Sequence, residues 1–128
     1  MGSRSKILLA ALVGATVGGA AIHGLHAQAK PKAYVVSELE TLDAKAAADY
    51  AERALKMQEA AGGRNLRTGG GKVTSMEGPP PPQRVAITEW DNLDKAQAFF
   101  KSKEWTDMGP DRDKALKTIR RYAVEERN

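Results

Sequence analysis

Cysteine is absent from the 128-residue sequence, and its two histidines, His23 and His26, both lie within the first 29 residues. Residues 30–128 therefore offer neither a thiolate nor an imidazole. This excludes Cys and His nucleophiles, His general bases and the usual ligand sets of zinc, copper, haem and iron–sulfur sites from that part of the chain. Carboxylates, Lys, Arg, Tyr, Ser and Thr remain for chemistry, so we predict no metal site and no cofactor.

A long apolar run is also missing. Residues 7–22 are mostly apolar, but they include three glycines and fall short of the roughly 20 residues that a membrane-spanning helix needs. Arg4 and Lys6 precede this run and Ala27-Gln28-Ala29 follows it, which is the three-part layout of a secretory signal peptide. We therefore predict a signal peptide over 1–29, cleavage after Ala29, and a periplasmic or secreted domain over 30–128. The alternative is a retained membrane anchor, so membrane contact is expected only through the uncleaved segment.

The sequence also lacks a strong excess of either positive or negative residues. The net charge of +4 includes Arg4 and Lys6 of the predicted signal peptide, and no acidic residue lies in that segment. In the remaining chain the basic residues are interleaved with acidic ones. A nucleic-acid-binding surface would instead collect Lys and Arg on one face, so we predict no nucleic-acid partner.

Hydrophobic periodicity predicts the order strand, helix, strand, strand, helix, strand. This order is the split βαβ pattern of a ferredoxin-like sandwich, an α+β fold with an antiparallel sheet and both helices on one face. We expect Val36 and Trp90 on the open face, where a second copy would cover them in a homodimer. The predicted strands cover 33–41, 64–68 with a continuation over 72–77, 84–90 and 119–126. The predicted helices run from Asp43 to Gly62, from a cap at Asp91 or Asn92 with a break near Ser102, and from Pro110 to about Thr118.

Several short motifs are shared with a known family. They are Ala33-Tyr34, Gly62-Gly63-Arg64 with Gly69-Gly70 shortly after, Glu77-Gly78 before a Pro-rich loop, Arg84-Val85, and Phe99-Phe100-x-Ser102-x-Glu104-Trp105. With them, residues 32–126 resemble the domain of unknown function 1330 family, in the dimeric α+β barrel group. The resemblance implies the same ferredoxin-like fold and a dimer, with no catalytic signature. One departure is that Thr68 precedes the glycines where relatives often carry Arg. Arg67 lies one position earlier. On a strand, an offset of one residue places the side chain on the opposite face of the sheet.

Charged strand residues suggest one type of binding site. Glu38 and Glu40 share a strand face, and the basic strand residues Arg67, Arg84 and Arg121 are candidates to meet them. A carboxylate beside an Arg can orient a small polar or anionic ligand, because the guanidinium fork binds carboxylates bidentately. The same residues can equally form a salt bridge across a dimer interface.

Aromatic residues suggest a second type of site. Tyr50, Trp90, Trp105, Phe99 and Phe100 can line a pocket between sheet and helices, or simply fill the core. Three functions remain open: a homodimer that binds a small molecule, a cofactor-independent enzyme of the oxygenase or isomerase type, suggested by fold analogy alone, and a structural or interaction protein. With Arg112, which can project into the same pocket, the ligand-binding candidates are Glu38, Tyr50, Arg67, Arg84, Trp90, Trp105 and Arg112.

Overall fold

The computed structural model describes residues 30–127, so the predicted signal peptide lies outside the described residues. No helix in this part of the chain is long and apolar enough to cross a membrane. The elements are β1 (Ala33–Thr41), α1 (Ala44–Ala60), β2 (Arg64–Asn65), β3 (Arg84–Trp90), α2 (Leu93–Phe100), α3 (Lys103–Asp107), α4 (Gly109–Ala115) and β4 (Leu116–Glu125).

The strands form one sheet in the order β2-β3-β1-β4. β1 lies in the centre and pairs antiparallel with both β3 and β4, and β2 pairs antiparallel with β3. The register places Ser37 of β1 between Ala86 of β3 and Arg121 of β4. This is the ferredoxin-like α+β arrangement, and the predicted fold class is confirmed.

Helix α1 begins and ends where the sequence predicts. The side chain of Asp43 accepts a hydrogen bond from the Ala46 backbone N–H at 2.8 Å, which caps the first turn. Beyond Ala60 the chain leaves the helix through Gly62, whose φ of +102° favours glycine. Gly63 then passes so close to Trp90 that an added Cβ would lie 2.7 Å from the indole ring.

The second helical region is interrupted as expected. Asn92 caps α2 and Ser102 caps α3, so the predicted break near Ser102 is confirmed. The predicted end of the last helix is wrong, because α4 stops at Ala115 and β4 starts at Leu116. Leu116 is buried in the core, and its extended backbone favours an earlier start of the strand.

The predicted strand over 64–68 and 72–77 is largely wrong. Only Arg64–Asn65 pairs as β2, and no strand forms over 72–77. Asn65 Oδ1 accepts a hydrogen bond from the Arg67 backbone N–H at 2.7 Å, and Arg67 adopts a left-handed φ of 62°. Such local side-chain hydrogen bonding competes with strand pairing. At Ile87 of β3, the backbone N–H donates to Thr68 Oγ1 instead of to a backbone carbonyl.

The hydrophobic core fills the space between the helices and one face of the sheet. Val35 and Leu39 of β1 contribute to it, and Trp90 is fully buried there beside Phe99, with ring centroids 5.3 Å apart. Placing Trp90 on the open face was therefore wrong. In the β1–β3 register Trp90 lies opposite Ala33, on the side that faces the helices. Its indole N–H is satisfied by Thr88 Oγ1 at 2.9 Å.

Candidate functional site

A cleft of about 110 Å³ lies between α1 and the helix-facing side of the sheet. We call it the helix–sheet cleft. The small side chains of Ala51 and Ala54 on α1 leave this space open above the strands. Its polar and aromatic lining comes from all four strands and three helices: Ser37, Tyr50, Gln58, Asn65, Arg84, Thr88, Phe100, Trp105 and Arg121.

Arg121 reaches the cleft from β4. Its Nε donates to Ser37 Oγ on the neighbouring strand at 2.8 Å, and its guanidinium carbon lies 4.9 Å from the Trp105 ring centroid and 5.4 Å from that of Phe100. Burial, reinforced by the positive charge of Arg112 and opposed by Tyr50, lowers the pKa of Arg121. The ordinary pKa of an arginine lies far above neutral pH, so the group stays a cation there.

Arg84 brings a second cation from β3. Its Nε donates to the Gly69 carbonyl at 2.6 Å and one terminal nitrogen donates to Thr41 Oγ1 at 3.2 Å. Both acceptors are neutral. The cleft lining includes Arg84 and Arg121 but no Asp or Glu, and within residues 30–127 neither guanidinium lies within 4.0 Å of a carboxylate. The positive charge at the cleft is therefore not balanced by a neighbouring anion.

Arg112 of α4 holds two aromatic groups of the cleft in place. Its guanidinium carbon lies 3.8 Å from the Trp105 ring centroid, and a terminal nitrogen donates to the Trp105 carbonyl at 2.7 Å. Its Nε donates to the Tyr50 hydroxyl oxygen, also at 2.7 Å. Tyr50 thus acts as an acceptor towards Arg112, and its own O–H donates to none of the described residues. That proton is available to a group inside the cleft.

Glu38 lies on the opposite face of the sheet. Its carboxylate accepts from Arg120 Nε, and this hydrogen bond is the main reason why the pKa of Glu38 is lowered. The expected approach of Arg67 or Arg84 to Glu38 does not occur. Arg84 lies opposite Leu39 in the register and so faces the helices, and Arg67 is exposed in the loop after β2.

The structure brings together part of the predicted set. Tyr50, Arg84 and Trp105 line the cleft and Arg112 contacts Tyr50 and Trp105, whereas Trp90 belongs to the core. Ser37 and Arg121, which both line the cleft, were not among the ligand-binding candidates. Strand alternation places Arg121 on the same face as Ala123. Which face of the sheet this is depends on the shift in the β1–β4 register between Glu38 and Leu39, and the sequence does not predict that shift.

Across the described range, no three His, Asp or Glu side chains are arranged to hold a metal ion. The cleft offers arginine, phenol, hydroxyl and amide groups, which are suited to binding and orienting an organic molecule through hydrogen bonds.

A protein-family model described as "Domain of unknown function (DUF1330)" matches residues 32–126. Among solved structures, RPA0582, a protein of unknown function from Rhodopseudomonas palustris, is similar with a TM-score of 0.62 and 13% identity, over 84% of this chain and 92% of that one. SnoaB, a cofactor-independent oxygenase from Streptomyces nogalater, is similar with a TM-score of 0.56 and 11% identity, over 77% of this chain and 95% of its own. No curated protein sequence matches the chain. At these identities the structural similarities show a shared fold.

Proposed function

The chain belongs to the family described as Domain of unknown function (DUF1330), and on that premise we propose that it binds a small organic molecule in the helix–sheet cleft. The observation that carries this proposal is the convergence of Ser37, Tyr50, Arg84 and Arg121 on a small space walled by Phe100 and Trp105. A concave, largely apolar site with a few polar groups is the usual form of a small-molecule site.

A purely structural protein is expected to have a filled interior at this place. Interiors are normally packed to crystal-like density, and a buried arginine loses hydration that an exposed one keeps. In this domain Ala51 and Ala54 leave space beside the half-buried Arg121. Larger apolar residues at these positions would fill that space, so its retention favours a ligand.

A cofactor-independent enzyme of the oxygenase or isomerase type is the second candidate. SnoaB, an oxygenase of this kind, has the same fold. The feature of this chain that favours catalysis is Tyr50, whose hydroxyl is fixed by Arg112 at 2.7 Å and lines the cleft. A positioned phenol can exchange a proton with a bound substrate.

We further propose that the domain is exported and works as a homodimer. Export is supported by the signal-like layout of residues 1–29. Dimerisation is supported by the sheet face opposite the helices, where Tyr122 and Val124 of β4 are 44% and 53% exposed. A second copy is the favoured occupant, because most oligomers of soluble proteins are homo-oligomers and two-fold dimers are by far the commonest of these.

Mass spectrometry of the purified protein tests ligand binding. The native protein is expected to carry a small molecule that is released on denaturation. Ala51→Leu narrows the cleft and should lose it, while Ala48→Leu, on the exposed side of the same helix, should retain it. Native protein without any bound molecule, or equal ligand content in the two variants, would favour the structural role instead.

A further inference from the structure

Resting on the proposed small-molecule function, we propose that the ligand of the helix–sheet cleft is a small planar carboxylate, anchored by Arg121 and by the hydroxyl proton of Tyr50. The argument uses three properties of the cleft: its charge, the hydrogen-bond donors that remain available in it, and its shape.

The positive charge of the cleft favours an anionic ligand. Arg84 and Arg121 both line the cleft, and the lining has no Asp or Glu to neutralise them. Among the described residues, the hydrogen-bond acceptors of these two guanidiniums are Ser37 Oγ, Thr41 Oγ1 and the Gly69 carbonyl, all neutral. An anion that enters such a site gains charge-assisted hydrogen bonds, whereas a cation would be repelled.

The available donors fit a carboxylate in particular. A guanidinium has five N–H groups, and Arg121 donates from Nε to Ser37. Its two terminal nitrogens donate to no other described residue, so their parallel N–H groups remain for a bidentate partner. The Tyr50 hydroxyl can add a further donor, since Arg112 occupies its oxygen only as an acceptor.

The walls favour a planar molecule of about one ring. Phe100 and Trp105 meet edge to face, with centroids 4.8 Å apart, and Arg121 lies beside both rings. The volume of about 110 Å³ is of the same order as the roughly 150 Å³ cavity that is known to hold benzene. A larger ligand would have to extend out of the cleft.

Binding of benzoate, benzamide and benzylamine to the full-length protein tests this inference. These probes share the ring and differ in charge, and binding is followed by tryptophan fluorescence and by calorimetry. Benzoate is expected to bind at least about tenfold more tightly than benzamide, because each charge-assisted hydrogen bond contributes more than a neutral one. Benzylamine is expected not to bind.

Arg121→Gln should weaken benzoate binding by at least about tenfold. Arg120→Gln is the matched control, since Arg120 lies on the opposite face and pairs with Glu38. It should leave benzoate affinity unchanged. Arg121→Lys keeps the charge but loses the planar fork, and provides a second variant if Arg121→Gln does not fold. It should also bind benzoate more weakly than the native protein.

Equal affinity for benzoate and benzamide, or an equal effect of the Arg120 and Arg121 variants, would overturn the carboxylate inference and leave the small-molecule proposal standing. Failure of benzoate to bind at all would overturn the inference as well. The small-molecule proposal has a separate test. It fails if the native protein carries no bound ligand, or if Ala51→Leu retains as much ligand as Ala48→Leu.

Discussion

Arg120 and Arg121 are neighbours in the sequence, yet their guanidinium groups serve opposite faces of the sheet. Arg120 donates to Glu38 on the face away from the helices, and Arg121 donates to Ser37 on the face that borders the cleft. Alternation along a strand requires this separation. One dipeptide of β4 therefore contributes to two different surfaces, and its two members provide a matched pair for experiments.

The pairing of Glu38 with Arg120 predicts a pH-dependent contribution to stability. The bond to Arg120 lowers the pKa of Glu38 from its ordinary value of 4.5. A lowered carboxyl pKa stabilises the fold at pH values above the ordinary pKa, and the contribution is lost as the pH falls through the folded-state pKa. Glu38→Gln should therefore lower the free energy of unfolding at neutral pH, with a smaller effect at about pH 3.

Urea unfolding of native protein and Glu38→Gln at both pH values measures this difference. Glu40→Gln is the control, because Glu40 lies on the same strand and face but forms no ion pair with another described residue. A deficit of Glu38→Gln that stays constant across the pH range would contradict the ion-pair explanation.

The close approach of Gly63 to Trp90 predicts a steric requirement for glycine. A Cβ at position 63 would lie 2.7 Å from the indole ring, and Trp90 is fully buried and unable to move freely. Gly63→Ala should destabilise the protein by about 1–3 kcal/mol, the usual cost of overpacking a core. Gly70→Ala, which meets nothing within 4 Å, should have little effect in the same thermal unfolding experiment. Equal melting temperatures of the two variants would contradict this account.

Much of the fold could be predicted from local patterns. The cap at Asp43 and the alternation of β3 follow from neighbouring residues alone, and the structure agrees with them. For the second helix the sequence offers Asp91 or Asn92 as the cap, and in the structure it is Asn92. The loop after β2 could not be predicted, because the side chain of Asn65 and the left-handed backbone of Arg67 end a segment that has strand-like residues. Local propensity does not report such competition between side-chain and backbone hydrogen bonds.

The candidate site was only partly predictable for a related reason. The aromatic residues were identifiable by type, but the partner of each charged residue depends on strand register. Glu38 bonds to Arg120 rather than to Arg84, because β3 presents Arg84 on the other face. The irregularity between Glu38 and Leu39 also shifts β4 by one residue, and a one-residue shift changes which arginine faces the cleft.

Arg112 is expected to stabilise the cleft walls through its fork geometry. It donates to the Tyr50 hydroxyl and the Trp105 carbonyl and stacks on the Trp105 ring. Arg112→Lys cannot reproduce these contacts together, so it should lower stability by about 1–3 kcal/mol and alter tryptophan fluorescence. Arg53→Lys is the control, because Arg53 forms an exposed ion pair with Asp111, and such pairs contribute about 0–1 kcal/mol. If Arg112→Lys and Arg53→Lys had the same stability and the same tryptophan fluorescence, Arg112 would not hold Tyr50 and Trp105 in place.

Export predicts a defined start of the mature chain. If residues 1–29 are removed after Ala29, the exported protein begins at Lys30. Intact-mass analysis of periplasmic or secreted material measures this start directly. Ala29→Leu should block processing, because signal cleavage requires small residues at this position. A full-length product that accumulates in the membrane fraction of the native protein would contradict cleavage and favour the anchor.

The proposed homodimer predicts that charge on the open sheet face is not tolerated at the interface. Val124 of β4 is 53% exposed on the face opposite the helices, where a second sheet would bury it. The processed native protein should therefore show about twice the monomer mass by light scattering at micromolar concentration.

Val124→Glu would place an unpaired carboxylate in the apolar interface and should shift the protein towards monomer, since burying a charge without a partner costs several kcal/mol. Ala48→Glu, on the exposed surface of α1, should remain dimeric. A native protein that stays monomeric over this range would exclude the sheet-to-sheet dimer, and a dimeric Val124→Glu variant would place the interface elsewhere.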